Sequence, residues 1–137
     1  MRIVIAIDGS SCSTFSVQAL AHFTPPEDLT MVHAQHLPDL NYPMITSDLR
    51  AEIQEEIKAQ LQKEGEGILD EAQKRLPANF AHVQRVHQIG HPVEVIVETA
   101  RSARSNLIML GARGLGPVKE LILGSVSHRV LMHAPCS

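Results

Sequence analysis

The chain has 137 residues, enough for one domain with a real hydrophobic core, and its 44% hydrophobic and 20% charged residues are ordinary for a globular protein. A net charge of −3, three Phe, one Tyr and no Trp speak against a nucleic-acid partner, which calls for clustered Lys and Arg or stacking aromatics. No stretch approaches the roughly 20 apolar residues that span a bilayer, and the N-terminus lacks the long apolar region and cleavage site of a signal peptide. No membrane partner is expected. Cys12 and Cys136 have neither CxxC nor metal-ligand spacing, and free thiols of this kind fit a reducing, cytoplasmic compartment.

Arg2 to Ile7 is apolar on both faces and stops at Asp8-Gly9-Ser10, as a central parallel strand covered by helices does. Ser16, Ala19, Leu20 and Phe23 then fall at helical spacing, and Pro25-Pro26 predicts the end of that helix. Leu29 to Ala34 reads as a second strand. After a loop with Pro38 and Pro43, Ser47 suits the cap of a long helix and Asp48 its first turn. Leu49, Ile53, Ile57 and Leu61, continued by Ile68, Leu69, Ala72 and Leu76, give this helix an apolar stripe that a sheet beneath it would explain. Gly65 and Gly67 predict a kink in its middle.

Ala81 to Ile89 is β-prone but polar, the pattern of an edge strand. Gly90-His91-Pro92 opens a helix with buried Val93, Ile96, Val97 and Ala100. Asn106 to Leu110 is another apolar strand, and from Ser125 the chain turns helical, with Ser127, Val130, Leu131 and Ala134 on one face. There is no internal repeat or linker. Strands alternating with helices predict a single α/β domain, an open parallel sheet with helices on both faces. The eight histidines form no convergent set of the kind a zinc site needs: His33 and His36 fall on opposite faces of an extended strand, and His128 and His133 lie about 140° apart on a helix. No metal ligands are assigned to the protein.

The chemistry concentrates where the strand ending at Leu110 gives way to Gly111, Gly114, Gly116 and Gly124-Ser125. In open α/β sheets ligands bind beyond the carboxyl ends of the strands. Glycines there let backbone amides approach an anion, and the helix beginning at Ser125 offers free N–H groups and its dipole to a phosphate. Ser125 and Ser127 add hydroxyls. The spacing is neither a P-loop, since Pro117 follows Gly116, nor a GxGxxG fingerprint. Taken alone, such glycines also serve as plain turn residues. Asp8 equally suits a turn or cap, Arg113 and Lys119 a solvated surface, and Ser127 a packed helix face.

The pattern Gly111-x2-Gly114-x9-Gly124-Ser125 resembles the nucleotide-binding loop of the ATP-binding universal stress proteins. So do IVIAIDGS at the start, LTMVHA, the run from Gly90 to Ala100, NLIMLGARG and LILGSVSHRVLMHAPC. The resemblance covers nearly the whole chain. It implies an adenine-nucleotide alpha hydrolase-like fold with strand order 3-2-1-4-5, and a homodimer. It places Ala6, Ile7 and Asp8 at the nucleoside, Asp8 near ribose or adenine, and Ala34 against adenine. Leu110 and Gly111 would flank the nucleotide, and Arg113, Gly114, Gly124, Ser125, Val126 and Ser127 would surround the phosphates. Asn106 stands where the family often has Asp, which bears on the turn into the fourth strand. The family continues into a final apolar strand beyond Ala134-Pro135-Cys136-Ser137, and its usual dimer contact runs through that strand.

The expected function is an ATP-binding regulatory protein of the stress response, the ligand being ATP, ADP or AMP. Mg²⁺ or Mn²⁺ would be held through the phosphates and water, since no carboxylate cluster accompanies the loop. No general base stands out beside the loop, so enzymatic turnover is not expected. The alternatives left open are a slow ATPase or phosphotransferase and an interaction module that binds no nucleotide.

Overall fold

The computed structural model describes residues 1–80, 82–115 and 122–137. Ala81, Gly116 and Lys119, each used in the sequence reading, lie outside the described residues. The element order is β1 (Arg2–Ala6), α1 (Ser11–Ala19), a 3₁₀ turn (Leu20–His22), β2 (Asp28–Gln35), α2 (Ser47–Lys74), β3 (Val83–Ile89), α3 (Pro92–Ser102), β4 (Leu107–Met109) and α4 (Ser125–His133). The strands form one parallel sheet in the order β3-β2-β1-β4. This is the predicted order over the four strands. β1 sits at the centre, which is why Ile3, Val4 and Ile5 are all buried: both of its faces carry helices.

The two faces hold separate cores. On one, Ile3, Ile5, Leu29 and Met31 pack against Val17 and Leu20 from α1 and its 3₁₀ extension, and against Leu69 and Ala72 of α2. On the other, Val4, Val32 and Ile108 pack against Val93, Ile96, Val97 and Ala100 of α3 and Val130 of α4. Each fully buried branched side chain contributes about 1.5–3 kcal/mol relative to an exposed one, so the alternation along β1 ties both layers to a single strand.

Four local expectations are corrected. The buried line of α1 is Ser13, Val17 and Leu20, while Phe23 is exposed. The helix is rotated from the expected face because the β-branched Val17, its most apolar buried side chain, turns to the sheet. It also gives way to a 3₁₀ turn after Ala19, before Pro25-Pro26. The cap of α2 is Thr46 rather than Ser47, its Oγ1 accepting the Leu49 N–H at 3.3 Å. And α2 runs unbroken through Gly65 and Gly67, with no kink. Gly65 lies against the His87 ring, where a Cβ would overlap the imidazole, so this glycine provides a close approach of helix to sheet.

The stripe on α2 is also only half used. No residue of the helix before Gly65 is buried, and Leu49 is 45% exposed. The reason is length: the 28 residues of α2 rise ~42 Å, whereas the 8-residue β2 spans ~26 Å at most. The sheet therefore accounts for the stripe from Ile68 onward and not for its first half.

β3 behaves as the polar edge expected of it, with Gln84, Arg85 and Gln88 exposed. Arg85 ties this edge to α2 through Asp70 and Glu66, each at 2.6 Å. At the other edge, Asn106 clamps the start of β4 to β1. Its Oδ1 accepts the Arg2 N–H, and its own N–H donates to the Arg2 carbonyl, both at 2.8 Å. The outer side of β4 is met by the last residue, Ser137, whose carbonyl accepts the Ile108 N–H at 2.7 Å.

Candidate functional site

β1 ends at Ala6, and the next residues carry the chain over the edge of the sheet. The Ile7 N–H still bonds the Val32 carbonyl at 2.8 Å, extending the ladder by one residue. Asp8 then turns the chain: its Oδ1 accepts the Ser10 N–H at 2.9 Å, and its own N–H reaches Ser13 Oγ at 3.4 Å. Gly9 takes φ +80°, a conformation that a side chain would strain. Ser10 caps α1 by accepting the Ser13 N–H at 3.2 Å, an interaction worth about 1 kcal/mol. The net result fixes the Asp8 carboxylate, half-buried, at the carboxyl end of the central strand.

β4 ends in parallel beside it, and Leu110 and Gly111 leave the sheet at the same level. Gly111 is packed so closely on α1 that a Cβ would stand 2.7 Å from Cys12 Cβ. A Cβ on Gly114 would stand 2.6 Å from Asp8 Oδ2. The loop thus crosses directly over the β1 end, and only glycine fits at both positions without a shift of its neighbours. Two hydrogen bonds close it on α4: the Gly124 N–H donates to the Ala112 carbonyl at 2.6 Å, and the Ser127 hydroxyl donates to the Gly111 carbonyl at 2.7 Å.

These pieces enclose a cavity of about 490 Å³. All twelve residues singled out from the sequence line it: Ala6, Ile7 and Asp8 from the β1 end, Ala34 from β2, Leu110 and Gly111 from the end of β4, Arg113 and Gly114 from the loop, and Gly124, Ser125, Val126 and Ser127 from the start of α4. The sequence reading missed Ser13, Val32, Pro92, Ile96 and Leu115, which line it too. Val32 shares a face of β2 with Ala34, two residues on, and Pro92 and Ile96 lie at the start of α3. The period-2 rule for strands would have supplied the first. Nothing local signals that α3 closes the cavity.

Two kinds of wall result. Val32, Ala34, Ile96 and Leu110 present an apolar slot, suited to a planar ring. The glycine loop and α4 present backbone. Gly124 is the N-cap of α4 with no side-chain cap, so the helix places the N–H groups of Ser125, Val126 and Ser127 where no carbonyl of the helix reaches them. The positive end of the helix dipole adds to this. The Ser127 hydroxyl donates to the Gly111 carbonyl, so this buried side chain braces the loop. Among the described lining residues, Asp8 carries the only carboxylate and Arg113 the only full positive charge. Among the described residues, no group of three His, Cys, Asp or Glu side chains is placed to hold a metal ion, and no helix is long and apolar enough to cross a membrane.

The sequence profile of the universal stress protein family matches residues 1–137. Universal stress protein YxiE of Bacillus subtilis is 27% identical over 139 residues, spanning 98% of this chain and 94% of the relative. Universal stress protein MJ0531 of Methanocaldococcus jannaschii is 29% identical over 136 residues, spanning 98% of this chain and 78% of its own. Among solved structures, MJ0577 of the same organism superposes with a TM-score of 0.80 at 23% identity, over 98% of this chain and 90% of that one. A universal stress protein solved in complex with cAMP superposes with a TM-score of 0.61 at 23% identity, over 100% of this chain and 92% of that one. Sheet order, helix placement and a sequence match along the full length agree: the chain belongs to the universal stress protein family.

Proposed function

We propose that this member of the family is an ATP-binding regulatory protein of the stress response, with ATP, ADP or AMP held in the cavity at the carboxyl end of the sheet. One observation carries the reading: Gly111 and Gly114 leave no room for a side chain at the very place where an uncapped helix start faces a cavity of about 490 Å³. That combination is a cradle for phosphate oxygens, built from backbone N–H groups and a helix dipole. The apolar slot of Val32, Ala34, Ile96 and Leu110 would take the base, and Arg113 would add charge to the phosphate side. The universal stress protein captured with cAMP supports an adenine nucleotide as the ligand class. Mg²⁺ or Mn²⁺ would neutralise the phosphates, held through them and water, with Asp8 the one carboxylate among the described wall residues. Occupancy would change the surface offered to partners.

The test is mass spectrometry of ligand released from freshly purified protein, with titration calorimetry of the stripped protein against ATP and ADP. Nucleotide is expected at about one per chain. In the Gly114→Ala variant the new Cβ meets the Asp8 carboxylate and displaces the loop. Removing even one charge-assisted hydrogen bond to a phosphate costs about 1.5–3 kcal/mol, so affinity falls at least about tenfold. Protein that is empty as purified and takes up neither ATP nor ADP would overturn the proposal.

A further inference from the structure

Two histidines lie outside the cavity, in the layer between the sheet and α2. His33 on β2 is buried, and His87 on β3 stacks on it with ring centroids 5.6 Å apart and planes 11° from parallel. His33 Nδ1 stands 2.5 Å from the Ile7 carbonyl. A carbonyl only accepts, so His33 Nδ1 donates to it, and Nε2 is buried with no partner. His87 Nε2 is 3.0 Å from Gln35 Oε1. Directly above it is Gly65 of α2, the glycine whose missing side chain lets the helix close on this ring.

We propose that the stacked His33–His87 pair is an acid-sensitive latch: with His87 neutral it seats the second half of α2 on the sheet, and protonation of His87 releases that half of the helix. The surroundings of His87 decide the sign. On β2 it faces His33, a second ring that cannot share a positive charge at stacking distance. On α2 it faces Glu66, which favours the charged form, but Glu66 is already bound by Arg85 at 2.6 Å. Glu64 of the same helix accepts from Gln60 at 2.9 Å, and α1 carries no charged side chain. Burial, first, and then His33 hold the proton affinity of His87 below the ordinary imidazole value of 6.5, with Glu66 opposing. A group with a depressed value binds its proton more readily when released. The stabilisation is therefore complete above about pH 6.5 and is lost as the pH falls below it.

The Ile7 carbonyl that holds His33 belongs to a residue of the cavity wall. The experiment is nevertheless run without nucleotide, so that it stands apart from the proposed ATP site. Hydrogen exchange, corrected for its intrinsic pH dependence, is followed from about pH 7.5 to about pH 5, either side of the free imidazole value. Protection of the amides from Gly65 to Lys74 is expected to fall on acidification in the wild type, ahead of β1 and α3, and to stay level in His87→Gln, which keeps a polar group and cannot titrate. In parallel, an NMR titration of the wild type should show the His87 ring protonating below the ordinary imidazole value of 6.5. Overturning results are protection unchanged by acid, a fall that is the same in the variant or uniform across the fold, or a His87 that titrates at or above the ordinary imidazole value.

Discussion

A Cβ on Gly65 would overlap the His87 ring, and one on Gly114 would stand 2.6 Å from the Asp8 carboxylate. Both glycines mark a place where two elements come too close for a side chain, yet the two regions do different things. Around Gly65 the close approach is packing: α2 lies against the His87 ring, and His87 Nε2 pairs with Gln35 Oε1 at 3.0 Å. Around Gly114 the backbone is drawn over a strand end beside an uncapped helix start, and the wall faces a cavity. Close approach alone is therefore a packing signal. It becomes a binding signal when polar groups beside it have no partner within their own helix and space to meet one.

The comparison can be broken most forcefully at Gly65. Gly65→Ala forces His87 or the helix to move, an overpacking cost of about 1–3 kcal/mol, against which the better helix propensity of alanine returns about 1 kcal/mol. A net loss of up to about 2 kcal/mol is expected, a fall in Tm of up to about 8 °C. Calorimetric affinity for ATP should stay at the wild-type value, since the cavity is not lined by this helix. An affinity loss as large as that of Gly114→Ala would mean the two glycine regions are not separate.

Ser127→Ala probes the other region from its bracing side. The variant removes the 2.7 Å hydrogen bond to the Gly111 carbonyl and leaves that acceptor less well satisfied. Net contributions of such bonds run about 0.5–1.5 kcal/mol. Here stability and nucleotide affinity should fall together, each by a few-fold in its equilibrium constant, because the same bond closes the loop and holds the helix start. Chemical denaturation and calorimetry on one preparation read both. Stability lost with affinity intact would make Ser127 a packing residue only.

Much of this was legible in the sequence, and the misses share a cause. β1 and the strand before Gly111 could be read because burial on both faces leaves an uninterrupted apolar run. Gly111, Gly114, Gly124, Ser125 and Ser127 could be read because a loop after a strand and a helix start after Gly124 are local features, and the family resemblance supplied Ala6, Ile7, Asp8, Ala34, Leu110, Arg113 and Val126. What failed depended on distant partners. The face of α1 was set by the sheet beneath it. The periodicity of α2 showed an apolar stripe without showing where the sheet stops. Gly65 looked like a weak point because His87, 22 positions later, carries no local trace of lying beneath it. Pro92 and Ile96 were read as the start and buried stripe of α3, correctly, but the cavity they help to close is assembled from elements far apart in the sequence.

Gly67 offers the finest test of the contrast, because it shares a helix with Gly65 and differs only in what lies opposite. Nothing stands within 4 Å of a Cβ built there, and the residue is exposed in the interior of α2. The sequence reading treated both glycines alike, as weak points of one helix. The structure separates them: the intrinsic cost of glycine in a helix is real at both, but only at Gly65 does close packing on a neighbour offset it. Gly67→Ala should therefore stabilise the protein by about 0.5–1 kcal/mol, chiefly by restricting the unfolded chain. The measurement is the urea midpoint at unchanged m-value. A loss of stability would show that α2 packs against something at Gly67 that its surroundings do not contain, and a gain in Gly65→Ala as well would return both positions to the propensity account.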